Sequence, residues 1–216
     1  APPGLTGPPY PTGLALTPDG KLWVCASRSN EVLRLDAATG KVEARVPVGV
    51  APYQPAVVGG KVFVSNWGGD RVAKDGTPLT TSGTPVRVDP RTNVANTGTV
   101  SVIEKVGGEW KATASIPVGG HPSGLAASPD GRFVYVANAN SDTVSVIDAA
   151  TGVVAETIDC KPDARLPFGT GSNAVAVAPD GKTLFVANGT GNCVAVVAVG
   201  GPSRVLGLIP TGWYPG

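Results

Sequence analysis

The chain has 216 residues and is rich in backbone breakers, with 30 Gly and 21 Pro, yet 42% of it is hydrophobic, enough for a core. Seventeen Lys and Arg against 16 Asp and Glu leave a net charge of +1 with no run of like charges. That balance excludes the basic stripe of a nucleic-acid binder and the basic amphipathic helix of a membrane-surface binder. The longest apolar stretch, Cys193 to Val199, is seven residues, so no segment reads as a membrane span.

The opening Ala1-Pro2-Pro3-Gly4 shows no basic segment followed by an apolar one, and the chain has no Met, which reads as a processed chain or an excised fragment. Cys25, Cys160 and Cys193 form neither a disulfide framework nor a metal knuckle. They leave open one pair with a free thiol, or three reduced and buried thiols.

Along the chain one grammar recurs. It begins with Pro11-Thr12-Gly13-Leu14, the turn Pro18-Asp19-Gly20, the apolar run Leu22-Trp23-Val24, then Val32-Leu33-Arg34-Leu35-Asp36 and Thr39-Gly40. The second copy replaces the Pro-Asp-Gly by Gly59-Gly60 but keeps Val62-Phe63-Val64-Ser65-Asn66 and Thr99-Val100-Ser101-Val102-Ile103. The third is the cleanest, with Pro129-Asp130-Gly131, Val134-Tyr135-Val136-Ala137-Asn138 and Thr143-Val144-Ser145-Val146-Ile147-Asp148; the fourth follows it with Pro179-Asp180-Gly181 and Leu184-Phe185-Val186-Ala187-Asn188. The equivalent Pro11, Pro52, Pro122, Ser172 and Pro215 stand 41, 70, 50 and 43 residues apart. Four short runs of β-forming residues per unit of about forty, parted by Gly, Pro, Asn and Asp, predict an all-β chain of four-stranded β-propeller blades. The expected limits are blade 1 at about 10–49, blade 2 at about 50–119 with an insertion at 67–98, blade 3 at about 120–169 and blade 4 at about 170–212. Residues 213–216 then start a further blade.

Ser128-Pro129-Asp130-Gly131, Val134-Tyr135-Val136-Ala137-Asn138 and Thr143-Val144-Ser145-Val146-Ile147-Asp148 together resemble the YVTN-type β-propeller repeat. A narrower resemblance lies in Val64-Ser65-Asn66-Trp67-Gly68-Gly69, Ser82-Gly83-Thr84-Pro85-Val86, Val88-Asp89-Pro90-Arg91-Thr92 and Ile209-Pro210-Thr211-Gly212-Trp213-Tyr214-Pro215. Those segments are similar to the YncE-like propeller of bacterial proteins that join it to an alkaline-phosphatase-type phosphoesterase domain. The resemblance implies a seven-bladed ring, an extracytoplasmic location and a metal-dependent catalytic domain elsewhere. The sequence departs from that family by stopping after four repeats and by lacking the phosphoesterase's metal signature, so no catalytic residue is carried over. Missing blades or a partner domain, from the same chain or another, are the expected partners, because four blades alone would leave sheet edges open.

In a four-stranded meander the first and third hairpins fall on one side and the middle loops and blade-to-blade crossovers on the other. The Pro-Asp-Gly and Asp-Ala-Ala-Thr-Gly turns read as backbone devices on the hairpin side. The insertion and the segment from Asp159 to Phe168 both fall on the crossover side, where loops on a rigid scaffold usually carry binding residues. The candidates there are Trp67, Arg71, His121, Arg165, Trp213 and Tyr214. His121, the only histidine, is either a ligand-facing group or a turn residue bonding backbone. Trp67 would stack on a ligand or pack the insertion; Trp213 and Tyr214, with Tyr10 and Tyr53, would ring the mouth or pack between blades. Asn66, Asn138 and Asn188, each ending the second strand, read as bonding loop backbone. Asp70, Asp75 and Asp89 could hold Ca²⁺ in the 70–90 insertion; otherwise no cofactor is read.

One His and no H-E-x-x-H, G-x-S-x-G or P-loop pattern leave no catalytic set. The expected function is a non-catalytic scaffold or binding module of a larger exported protein. The alternatives are an adhesion-type binding propeller, or a dehydrogenase- or lactonase-like one.

Overall fold

The computed structural model describes residues 10–71, 79–81, 84–163 and 165–216. It contains no α-helix among them, only a 3-10 turn at Ser27–Ser29, and no described helix is long and apolar enough to cross a membrane. The first antiparallel sheet runs β1 (Pro11–Leu16), β2 (Lys21–Ala26), β3 (Glu31–Asp36) and β4 (Val42–Pro47) in sequential order. The second uses β5 (Pro52–Val58) and β6 (Lys61–Asn66). The chain then leaves the sheet for a short hairpin, β7 (Leu79–Thr81) and β8 (Thr84–Val86), before returning as β9 (Gly98–Val106) and β10 (Glu109–Val118). The third holds β11 (Pro122–Ala127), β12 (Phe133–Asn138), β13 (Thr143–Asp148) and β14 (Val154–Asp159); the fourth, β15 (Ser172–Val177), β16 (Thr183–Asn188), β17 (Cys193–Ala198) and β18 (Arg204–Pro210). Each is a four-stranded meander, the blade of a β-propeller. The chain divides into two compact units, Ala1–Pro117 and Val118–Gly216, of two blades each.

The recurring Asp and Gly are turn devices. Gly20, Gly131 and Gly181 have φ of +73°, +70° and +69°, a region that Gly enters without strain. Their N–H groups close the turn on Thr17, Ser128 and Ala178 carbonyls. Asp36 accepts the N–H and hydroxyl of Thr39 at 2.9 and 2.8 Å, and Asp148 does the same for Thr151 at 2.8 and 2.9 Å. The insertion reuses this device: Asp89 accepts the N–H groups of Arg91 and Thr92 at 2.8 and 3.2 Å, with Asn93 left-handed where the other turns have Gly.

Each unit has its own core between its two blades. In the first, Trp23, Cys25, Val32 and Val46 of blade 1 meet Val62, Val64 and Ile103 of blade 2. In the second, Tyr135, Val144, Val146, Ile158 and Cys160 of blade 3 meet Leu184, Val186, Ala195 and Val197 of blade 4. All three cysteines are buried free thiols. Burial pushes the Cys25 thiol up, and the Cys160 thiol up to about 12, so neither supplies a thiolate near neutral pH.

Candidate functional site

The crossover side is built from one repeated contact. Asn30, Asp142 and Asn192, each just before the third strand of its blade, are left-handed, with φ of +54°, +54° and +50°. Their side-chain oxygens accept the N–H of the residue that opens the following blade: Ala51 at 2.8 Å, Gly171 at 2.7 Å and Tyr214 at 3.0 Å. Those three are left-handed too, at +53°, +70° and +50°. Asp142, fully buried, also takes the Gly169 N–H at 2.8 Å.

The six sequence candidates are distributed over this framework. Trp67 is half-buried after β6 and donates its N–H to the Ala51 carbonyl. Arg71 donates Nε to Val48 O and Nη2 to Asn30 O, at 2.9 and 2.8 Å, so it clamps carbonyls of the preceding blade. His121 stands at the left-handed opening position of blade 3 with φ of +57°, and its carbonyl accepts the Ala139 N–H. Burial holds its imidazole down to about 4, hence neutral at pH 7. Arg165 is an exposed group paired within its own loop to Asp163, Nη2 to Oδ2 at 2.5 Å. Trp213 is 90% exposed, and the Tyr214 ring lies against Gly189.

The strand-ending asparagines behave differently from expectation. Asn66 Nδ2 reaches the hydroxyls of Thr99 and Ser101 at 3.1 and 2.9 Å, and Asn138 Nδ2 those of Thr143 and Ser145 at 3.1 and 3.0 Å. Only Asn188 bonds loop backbone, at Cys160 O, because its cross-strand partner is Cys193 and not a threonine. Of the acids considered for Ca²⁺, Asp70 accepts the Ser115 hydroxyl at 2.6 Å, Asp89 caps its turn, and Asp75 lies outside the described residues. No group of three or more His, Cys, Asp or Glu able to hold a metal occurs among the described residues.

A well-formed cavity lies instead on the hairpin side of the second unit, between blades 3 and 4. Its volume is ≈ 630 Å³, within the usual range for small-molecule sites. Tyr135 and Val146 line it with Ala155, Glu156 and Ser203, and Asp130, Asp180 and Arg132 are its other charged residues. Glu156 accepts the Ser203 N–H and hydroxyl at 2.8 and 2.6 Å. Tyr135 is 2% exposed. Its pKa is raised by burial first, then by the charges of Asp130 and Glu156. Sequence reading passed over these residues because Asp130 and Asp180 were accounted for as turn acids. The signal lay in comparing one blade junction with the other.

A family model described as lactonase, 7-bladed β-propeller, matches residues 66–161. A comparison with curated proteins returns no match. Among solved structures, a hydrazine synthase from Kuenenia stuttgartiensis superposes with a TM-score of 0.67 at 25% identity, covering 94% of this chain and 51% of that one. A functionally unknown protein from Desulfotomaculum acetoxidans gives a TM-score of 0.67 at 14% identity, over 94% of this chain and 57% of that one. A streptogramin B lyase gives 0.64 at 16% identity, over 97% and 57%. The chain thus spans little more than half the length of these proteins.

Proposed function

We propose that this chain supplies four blades of a larger, seven-bladed propeller in an exported protein, as a non-catalytic scaffold whose crossover side binds a partner domain. Tyr214 carries the reading. It is left-handed and held by Asn192 as Ala51 is held by Asn30, and Pro215 follows it as Pro52 follows Ala51. Residues 211–216 therefore have the form of a blade opening. Leu14 and Leu16 on β1 and Leu206, Leu208 and Ile209 on β18 are exposed, the kind of apolar strand surface that a neighbouring blade covers. The family model that matches residues 66–161 is described as seven-bladed, and the chain covers only 51–57% of its solved neighbours. The resemblance of Val64 to Gly69 and Ile209 to Pro215 to phosphoesterase-linked propellers points to a metal-dependent phosphoesterase as the partner domain. The intact mass of the native protein under non-reducing conditions tests this. A larger mass, with phosphomonoester hydrolysis on adding divalent metal, supports it. A mass equal to that of the 216 residues overturns it.

A lactonase-like hydrolase is the second reading, favoured by the family-model match at residues 66–161. It requires lactone ring opening by the native protein, read as acid release, and absence of turnover rejects it.

A further inference from the structure

The blade junctions within the two units are internal copies of each other, and one has lost what fills the other. In the first unit Trp23 on β2 pairs across the sheet with Arg34 on β3, and in the second Tyr135 on β12 pairs with Val146 on β13. The next strand places Ala44 opposite Arg34 and Glu156 opposite Val146, so Glu43 corresponds to Ala155. Counting back nine residues from the matching Gly119 and Gly212, Trp110 on β10 corresponds to Ser203, which immediately precedes β18.

In the first junction these groups make a filled stack. The Trp23 and Trp110 rings meet edge to face, with centroids 4.9 Å apart and planes at 84°. The Arg34 guanidinium lies 5.9 and 5.5 Å from their centroids, held by Glu43 and Asp19. In the second junction every one of the four is smaller: Tyr135 for Trp23, Val146 for Arg34, Ala155 for Glu43 and Ser203 for Trp110. The cavity of ≈ 630 Å³ is lined by these four smaller residues. One change runs the other way, Ala44 to Glu156, so the carboxylate lost with Glu43 returns one residue further along the strand, in the lining. With Asp130 and Asp180, three carboxylates face one guanidinium, Arg132. Tyr135, which stands where Trp23 stands in the first junction, brings a hydroxyl to the lining that the indole lacks.

We propose that this cavity binds a small aromatic cation, a flat ring carrying an ammonium or guanidinium group, which takes the place that the Trp110 indole and Arg34 guanidinium fill in the sister junction. The ring lies between the blades, in the space bounded by Tyr135, Val146 and Ala155. The cation faces Glu156, with Asp130 and Asp180 adding to the negative field. The proposal goes beyond the scaffold reading and does not depend on it, since both blades lie in Val118–Gly216.

The test is calorimetric titration of the native protein with tryptamine, which joins an indole to an ammonium, beside indole-3-acetate, which joins the same ring to an anion. Saturable one-site binding of tryptamine is expected, with the acetate weaker by about tenfold or more. Ser203→Trp, which restores the sister indole from within the chain, should abolish binding while circular dichroism stays unchanged. Glu156→Gln should weaken binding about tenfold, and Tyr135→Phe several-fold; these two keep the test open if Ser203→Trp misfolds. No saturation up to about 10 mM tryptamine overturns the proposal. Equal affinity for the acetate, or wild-type affinity in a folded Ser203→Trp variant or in Glu156→Gln, also overturns it.

Discussion

A carboxylate with no exposed surface, Asp142 accepts the N–H groups of Gly169 and Gly171, where Asn30 and Asn192 each serve one N–H at the same place in their blades. Removing it leaves two donors without an acceptor, whereas Asn keeps one oxygen. Asp142→Ala should therefore cost about 3 kcal/mol and Asp142→Asn roughly half as much, measured by urea denaturation. Equal costs would mean that the second acceptor oxygen does nothing. His121 makes a pH prediction with a definite sign. Its folded pKa of about 4 lies below the ordinary 6.5, so the unfolded chain binds more protons in between. Stability is complete above the unfolded value and falls as the solution is acidified. With no other histidine in the chain, lowering the pH from about 7.5 to about 5.5 should remove about 1 kcal/mol. His121→Asn, whose side chain tolerates the left-handed backbone, should show no such loss. A variant that follows the wild-type pH curve would assign the effect to another group.

At the scale of the element, the junctions show how the same strands can be filled or left open. Trp110 is the half-buried ring that closes the first junction against Trp23. Trp110→Ala should destabilise by about 3 kcal/mol, whereas Ser203→Ala at the matching place should cost about 1 kcal/mol for its hydrogen bond to Glu156. Similar losses at the two positions would contradict the comparison. Most of the strands were legible because their signals are local: short runs of β-forming residues parted by Gly, Pro, Asn or Asp. The turn at Asp89 was not, because Asn93 stands where the other two copies show Gly, and the acid was read as a Ca²⁺ candidate. The roles of Arg71 and Asn30 were hidden for another reason. They act across a blade boundary, 41 residues apart, and no run of sequence reports that contact. The cavity is written in four substitutions spread from Tyr135 to Ser203, visible only when the blades are set side by side.

At the scale of the whole molecule, one glycine position asks what lies beyond the fourth blade. Gly49 and Gly119 precede blade openings and sit against the asparagine that ends the second strand of the blade they lead into. A Cβ would fall 2.6 Å from Asn66 Cγ at Gly49 and 2.7 Å from Asn138 Cβ at Gly119. Both asparagines are fully buried and bonded to neighbouring hydroxyls, so they have little room to give way. Gly49→Ala and Gly119→Ala should each cost about 2 kcal/mol through overpacking. Gly212 holds the same place before Tyr214-Pro215, yet a Cβ there meets nothing within 4 Å. If residues 211–216 lead into a fifth blade, the native protein must bring an equivalent side chain against Gly212, and Gly212→Ala should then cost about as much as Gly49→Ala. If nothing follows, the substitution should fall within about 0.5 kcal/mol of neutral. Thermal denaturation of the native protein and the three variants decides between these outcomes, and a neutral Gly212→Ala beside a costly Gly49→Ala would remove the fifth blade from the proposal.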